Sequence, residues 1–229
     1  MTLPGTDVVD RLARVHARIA AAGGDPDRVK VVAVTKGFDA GVVGQAVAAG
    51  LHEVGENYAQ ELLAKAADVS ARASPSGWLP CWHFLGPVQR NKVPSLATTV
   101  SVWQAVDRLV AGQAIAKHAP GAAVLVQVNT SDDPLKSGCR PEEAPALLDG
   151  LVAAGLHVRG LMTIGPLGPP EMARPGFAAL ARLADRLGLV ERSMGMTNDL
   201  EVAVQEGATM LRIGTALFGP RPPAGDLRR

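Results

Sequence analysis

Lys36 closes an aliphatic run, Val31 to Thr35, whose residue types demand burial. A lysine ending such a strand sits at the rim of whatever mouth the strand opens onto. Partial burial there lowers its pKa, because desolvation disfavours the ammonium form, and a neutral amine is what Schiff-base formation requires. The same side chain can also simply snorkel its ammonium to solvent. A second group of candidates lies near the C-terminus. Ser193-Met194-Gly195-Met196-Thr197-Asn198-Asp199 places hydroxyls at a strand end, and Asn198 with Glu201 has the spacing of a helix N-cap and its box partner. Such a helix start offers N–H groups and a positive dipole end to a phosphate. Gly214 lets backbone approach an anion closely and Thr215 adds a hydroxyl; an ordinary capped helix and a glycine turn are the plainer alternative. Arg212 lies inside the last strand, where a charge must be paired or must face a ligand. Gly55-Glu56-Asn57-Tyr58 forms a dense polar cluster with an aromatic able to wall a ring. His83, between Trp82 and Phe84, reads as a hydrogen-bonded core histidine.

The elements that would position these residues alternate along the chain. Val8, Leu12, Val15 and Ile19 recur at helical spacing and predict an N-terminal helix ended by Gly23-Gly24. Strands are then expected at 29–35, 51–57, 82–85, 99–105, 124–129, 158–164, 193–196 and 210–213. Helices are expected at 39–49, 58–69, 107–118, 141–154, 177–187 and 198–205, with one helical turn at 89–93. The stretches 71–80, 130–140 and 165–170 read as loops; in the second of them Asp132, Asp133 and Lys136 form either a lid or a solvated turn. Eight strands alternating with helices close into a barrel or lie open as a doubly wound sheet. Three features favour the barrel: the count of eight, the lack of G-x-G-x-x-G after the first strand, and polar residues at nearly every strand's carboxyl end. Lys36, Glu56-Asn57, Asp107, Asn129, Thr163 and Thr197 would converge on one mouth. The expected fold is α/β, a single (β/α)8 TIM-type barrel with an extra N-terminal helix, one domain over 1–229 with a short polar tail from about 220.

Composition narrows the partners. Lys plus Arg number 23 and Asp plus Glu 22, a formal charge of +1, so there is no global basic field to collect nucleic acid. Neither Cys81 nor Cys139 has C-x-x-C spacing, and His16, His52, His118 and His157 have no metal-ligand spacing, so no metal is expected. Two cysteines, no signal-peptide pattern at Met1 to Asp10 and no apolar run near ~20 residues suggest a cytoplasmic protein without a membrane span.

VAVTK (32–36), GENYAQEL (55–62), WHFLGPVQRNK (82–92), VNTSDDPLKSG (128–138), RGLMTIG (159–165) and SMGMTNDLEVAVQEGATMLRIGTALFG (193–219) occur in order over nearly the whole chain. With them the sequence resembles the pyridoxal phosphate homeostasis proteins, relatives of the N-terminal barrel of alanine racemase. The resemblance implies a Schiff base between Lys36 and pyridoxal 5'-phosphate. It implies that Asn57 lies near the ring, and that Thr197, Gly214 and Thr215, with Ser193, hold the phosphate. Arg212 would face the pyridine nitrogen, and Lys136 would be a secondary lysine at the mouth. Two positions depart from the family pattern. Gly37-Phe38-Asp39 follows the lysine where many members have a nearby proline, and Thr197 replaces a usual serine while keeping its hydroxyl.

Three functions compete. An arginine at the pyridine nitrogen accepts no proton, which makes the cofactor a weaker electron sink. Racemisation needs an acid and a base on opposite faces of the α-carbon. In alanine racemases the second group comes from a C-terminal domain, whereas this sequence stops ten residues after Gly219. The expectation is therefore a non-catalytic, monomeric carrier for intracellular pyridoxal phosphate homeostasis, with apo pyridoxal-phosphate enzymes as recipients. A small racemase-like enzyme is the alternative. A Schiff-base aldolase of phosphosugars keeps the barrel but leaves Arg212 unexplained.

Overall fold

In the computed structural model, described over residues 8–71, 79–131, 133 and 136–221, eight parallel strands close into a barrel. Helix α1 (Val8–Ala21) precedes β1 (Lys30–Val34), α2 (Gly41–Ala48), β2 (Glu53–Glu56), α3 (Ala59–Ala71), β3 (Cys81–Phe84) and α4 (Val93–Leu96). There follow β4 (Val100–Val106), α5 (Leu109–His118), β5 (Ala123–Gln127), α6 (Ala144–Ala153) and β6 (His157–Met162). The chain continues through a 3-10 turn (Pro170–Ala173), α7 (Arg174–Arg186), β7 (Glu191–Ser193), α8 (Leu200–Gln205), β8 (Met210–Ile213) and α9 (Thr215–Phe218). Strands β1 and β8 close the sheet in register Lys30↔Met210 to Ala33↔Ile213.

Strand alternation explains the two apolar clusters. Outward residues such as Val31, Ala33, Val54, Trp82, Phe84, Trp103, Leu161, Leu211 and Ile213 join the helices in the main core. Inward residues Val32, Val102, Ala105, Leu125, Met162 and Met210 form a separate small cluster inside the barrel. Fully buried Trp103 and Phe177 lie in the outer layer, each stabilising the fold by roughly 1.5–3 kcal/mol. Helix α1 packs its buried stripe Val8, Leu12, Val15 and Ile19 against α8 and α9. Arg18 then pairs with Glu201 at 2.6 Å and donates to the Thr197 carbonyl at 2.9 Å. The extra helix thereby anchors the loop after β7.

Several local expectations are corrected. The helical turn placed at 89–93 lies at Val93–Leu96, with Pro94 in its first turn. The helix expected from 177 begins at Arg174, again with a proline in its first turn, and the preceding loop contains the 3-10 turn. Strand β7 is Glu191–Ser193 rather than 193–196, because Gly195 turns the chain at φ +91°. The capping box is not formed. Asp199 precedes α8, its Oδ1 accepts from the Met196 N–H at 2.6 Å, and Glu201 is taken by Arg18. Much of the loop at 71–80, Asp132 and most of the expected tail lie outside the described residues.

Candidate functional site

The carboxyl ends of the strands surround a cavity of about 380 Å³. Lys36, Asn57, Thr197, Arg212, Gly214 and Thr215 all line it. An adjoining cavity of about 170 Å³ shares Asn57 with it and is lined by Lys136. Lys136 is held there by its own loop: Asn129 Nδ2 donates to the Lys136 carbonyl at 3.2 Å, and Lys136 Nζ donates to the Gly165 carbonyl at 3.3 Å. The structure thus brings seven of the eight residues that the family resemblance implies for the cofactor site to one mouth.

Ser193 is the exception. It is fully buried on β7 and lines neither cavity. Its Oγ accepts from Arg212 Nη1 at 2.7 Å and donates to Gln104 Oε1 at 2.6 Å. It therefore sits behind Arg212, where a phosphate-binding role does not fit. Tyr58 is also displaced from expectation: it is 61% exposed and lines neither cavity.

Two networks fix the cationic groups. Behind Lys36, the ammonium of Lys65 on α3 is buried. It donates to the Thr35 carbonyl at 2.8 Å and to Glu56 Oε1 at 2.6 Å, while Thr35 Oγ1 donates to the same oxygen at 2.6 Å. Glu61 accepts from the Gly37 N–H at 2.9 Å. Backbone on both sides of Lys36 is thus tied to α3 and the end of β2. Burial raises the Glu56 pKa against the opposing pull of Lys65. Lys36 itself is shifted below the usual lysine value, first by burial, then by the charges of Arg221 and Arg212, which outweigh Glu56 and Glu61.

Arg212 is held by Ser193 and by the Thr163 carbonyl, which accepts from Nη2 at 2.7 Å. Burial lowers its guanidinium to about 10, so it remains a cation at neutral pH. Thr197 Oγ1 accepts from the Ala216 N–H at 3.2 Å, which joins the loop after β7 to the single turn α9 after β8. A Cβ at position 214 would lie 3.1 Å from the Val34 carbonyl oxygen, so glycine there lets the chain pass close to β1.

The sequence reading missed Arg221, which lines the cavity and packs its side chain over Gly37. It also missed Lys65, although Glu61 and Lys65 stand at the i, i+4 spacing of a helical ion pair. Among the described residues lining the main cavity there is no histidine, cysteine or tyrosine, and Asp199 is the one carboxylate. Cys81 and Cys139 lie elsewhere, with thiols pushed up to about 11 and about 12, burial being the largest cause in each case.

The description "Alanine racemase, N-terminal domain" matches residues 9–222. A pyridoxal phosphate homeostasis protein of Pseudomonas aeruginosa is 43% identical, over 93% of this chain and 96% of the relative. One from Deinococcus radiodurans is 39% identical, over 90% and 97%. The solved structure of Synechococcus elongatus PipY with PLP bound superposes with a TM-score of 0.78 at 30% identity, over 93% of this chain and all of that one. Alanine racemase of Clostridium difficile, at 14% identity and a TM-score of 0.68, shares the fold. The chain belongs to the pyridoxal phosphate homeostasis protein family, on the barrel of the alanine racemase N-terminal domain.

Proposed function

We propose that the protein binds pyridoxal 5'-phosphate at the barrel mouth, covalently through Lys36, and holds it for intracellular homeostasis and delivery to apo-enzymes. One observation carries this reading: a lysine with a lowered pKa, a buried arginine and the Thr197, Gly214 and Thr215 surface line a single cavity. The donor set suits the group. Lys36 supplies an amine for the aldehyde, Thr197 and Thr215 supply hydroxyls for the phosphate, and Gly214 lets backbone approach it. Asn57, which lines both cavities, would lie beside the ring, and Lys136 is a second amine at the mouth. When bound, the cofactor supplies a ring that withdraws electrons through its nitrogen. Arg212, oriented by Ser193 and Thr163, would offer that nitrogen a hydrogen bond but would not readily give it a proton, which would weaken the withdrawal.

Holding rather than transforming is favoured by the same surface. Asp199, the one cavity carboxylate among the described residues, is engaged by the Met196 N–H. No histidine, cysteine or tyrosine lines the main cavity among the described residues to act as an acid opposite Lys36. The expected species is a cytoplasmic monomer. The test is spectroscopic. Protein mixed with pyridoxal phosphate should turn yellow, become resistant to dialysis after borohydride, and lose both properties in Lys36→Ala. Loaded protein should then reactivate an apo-enzyme faster than an equal amount of the borohydride-treated form. A colourless wild type after mixing would sink the binding claim, and equal reactivation would sink delivery.

A further inference from the structure

The end of the barrel opposite the mouth carries its own polar cluster. Glu53 opens β2 and Cys81 opens β3, and the two are register partners. His83 lies two residues after Cys81, so all three side chains project from the same face of adjacent strands, into the barrel. One ligand atom from each lies within 4.8 Å of the others. His83 Nε2 is 2.7 Å from Glu53 Oε2 and 3.7 Å from Cys81 Sγ.

We propose that Glu53, Cys81 and His83 form a zinc-binding site at the barrel floor. A carboxylate oxygen, a thiolate and an imidazole nitrogen are a donor set suited to a borderline-soft divalent ion. Bonds of about 2.0–2.3 Å place tetrahedral donors roughly 3.3–3.6 Å apart. The Nε2–Sγ separation is already near that, and Glu53 needs to withdraw from the ring by only a fraction of an ångström. Glu53 and Cys81 are half-buried, which leaves the fourth position to water.

The surroundings support the same assignment. The cations beside the cluster pair more closely with another carboxylate than with Glu53. Lys30 Nζ is 3.2 Å from Glu191 and 4.0 Å from Glu53, and Arg159 pairs with Glu191. His83 Nδ1 is 2.6 Å from the Gln104 amide, a contact that fixes the ring plane as metal-bound histidines require. On binding, the thiol proton leaves to solvent and the ring proton moves from Nε2 to Nδ1. There the Gln104 amide, turned end for end, accepts it, and in this metal-bound state the amide nitrogen replaces the oxygen opposite Ser193 Oγ.

The experiment uses tag-free, chelator-treated full-length protein without added pyridoxal phosphate, so it stands apart from the reading of the mouth. Calorimetric titration with Zn²⁺ should give one equivalent per chain. Co²⁺ should give a near-ultraviolet sulfur charge-transfer band. Cys81→Ser, a half-exposed and nearly isosteric change, should abolish that band and weaken Zn²⁺ binding at least about tenfold, whereas Cys139→Ser should leave both unchanged. X-ray absorption of the zinc-loaded wild type should show one sulfur at about 2.3 Å, a result that does not depend on any variant's folding. No stoichiometric binding, no sulfur shell, or undiminished affinity in a folded Cys81→Ser protein would each overturn the site.

Discussion

Arg212 Nη1 donates to Ser193 Oγ at 2.7 Å, and that bond begins a one-way chain of donors through the barrel. Ser193 passes its hydroxyl hydrogen to Gln104 Oε1 at 2.6 Å, and Gln104 Nε2 lies 2.6 Å from His83 Nδ1. Each member is buried, so each unpaired group would bear its full desolvation cost. The arginine at the mouth is therefore oriented from below by a polar column, as well as by the Thr163 carbonyl.

Ser193→Ala leaves one Arg212 donor and one Gln104 acceptor without their partner. The expected loss is about 1–3 kcal/mol of unfolding free energy, read by chemical denaturation. In loaded protein the visible band should also shift, because the guanidinium that would face the ring keeps only its bond to the Thr163 carbonyl, whereas the proposed covalent link through Lys36 should survive. A variant with wild-type stability would show that the column does not bear on the fold, and an unshifted band that it does not orient Arg212 toward the ring.

Lys65 and Glu56 make a different test. Both are buried and 2.6 Å apart, and Glu56 has a further oxygen, Oε2, without a hydrogen-bond partner among the described residues. Removing the cation alone, as in Lys65→Met, leaves a buried carboxylate uncompensated and should cost roughly 3–5 kcal/mol. At roughly 2–4 °C per kcal/mol for a chain of this size, the melting temperature should fall well beyond measurement error. Lys65→Met with Glu56→Leu should recover much of the loss. A small effect from the single change would mean that Glu56 takes up a proton instead, in keeping with its raised pKa.

The sequence made the barrel legible because the chemistry of its strands repeats. VKVVAVT, AVLVQ and MLRI are too aliphatic for anything but buried strands, and the polar residue at each carboxyl end marks a common mouth. Lys36, Thr197, Gly214 and Thr215 followed from that placement. Ser193 was misassigned because a hydroxyl at a strand end can face the mouth or the barrel interior. β7 ends at Ser193, and its hydroxyl bonds inward to Arg212 and Gln104. Arg221 was overlooked because it follows the last strand by several residues, and only the closed barrel brings it over Gly37. The cluster at the floor was illegible for a related reason. Cys81 and His83 form an unremarkable C-x-H, and Glu53 joins them only through the β2–β3 register.

Thr197 joins the two loops that would hold a phosphate, through its bond to the Ala216 N–H. Thr197→Val keeps the shape and removes the hydroxyl. A hydrogen bond to a charged group is worth about 1.5–3 kcal/mol, so binding of pyridoxal phosphate should weaken by at least about tenfold. Uptake of pyridoxal, which lacks the phosphate, should change far less. Equal weakening for both ligands would mean that Thr197 supports the loop rather than the phosphate.

Lys36 should show its depressed pKa directly in the pH dependence of cofactor capture. The reactive form is the neutral amine, so the rate of covalent uptake should rise with pH through a midpoint below the 10.5 of an ordinary lysine. Burial is the largest cause of the depression and the charge of Arg221 the next. Arg221→Ala removes that charge, which restores part of the ammonium's stability. The midpoint should therefore move to higher pH and uptake at neutral pH should slow. Arg221→Lys keeps a cation and should lie between the two. The measurement is stopped-flow absorbance after mixing the apo-protein with pyridoxal phosphate at a series of pH values. A midpoint that stays fixed in Arg221→Ala would leave burial and Arg212 as the groups that set the reactivity of Lys36.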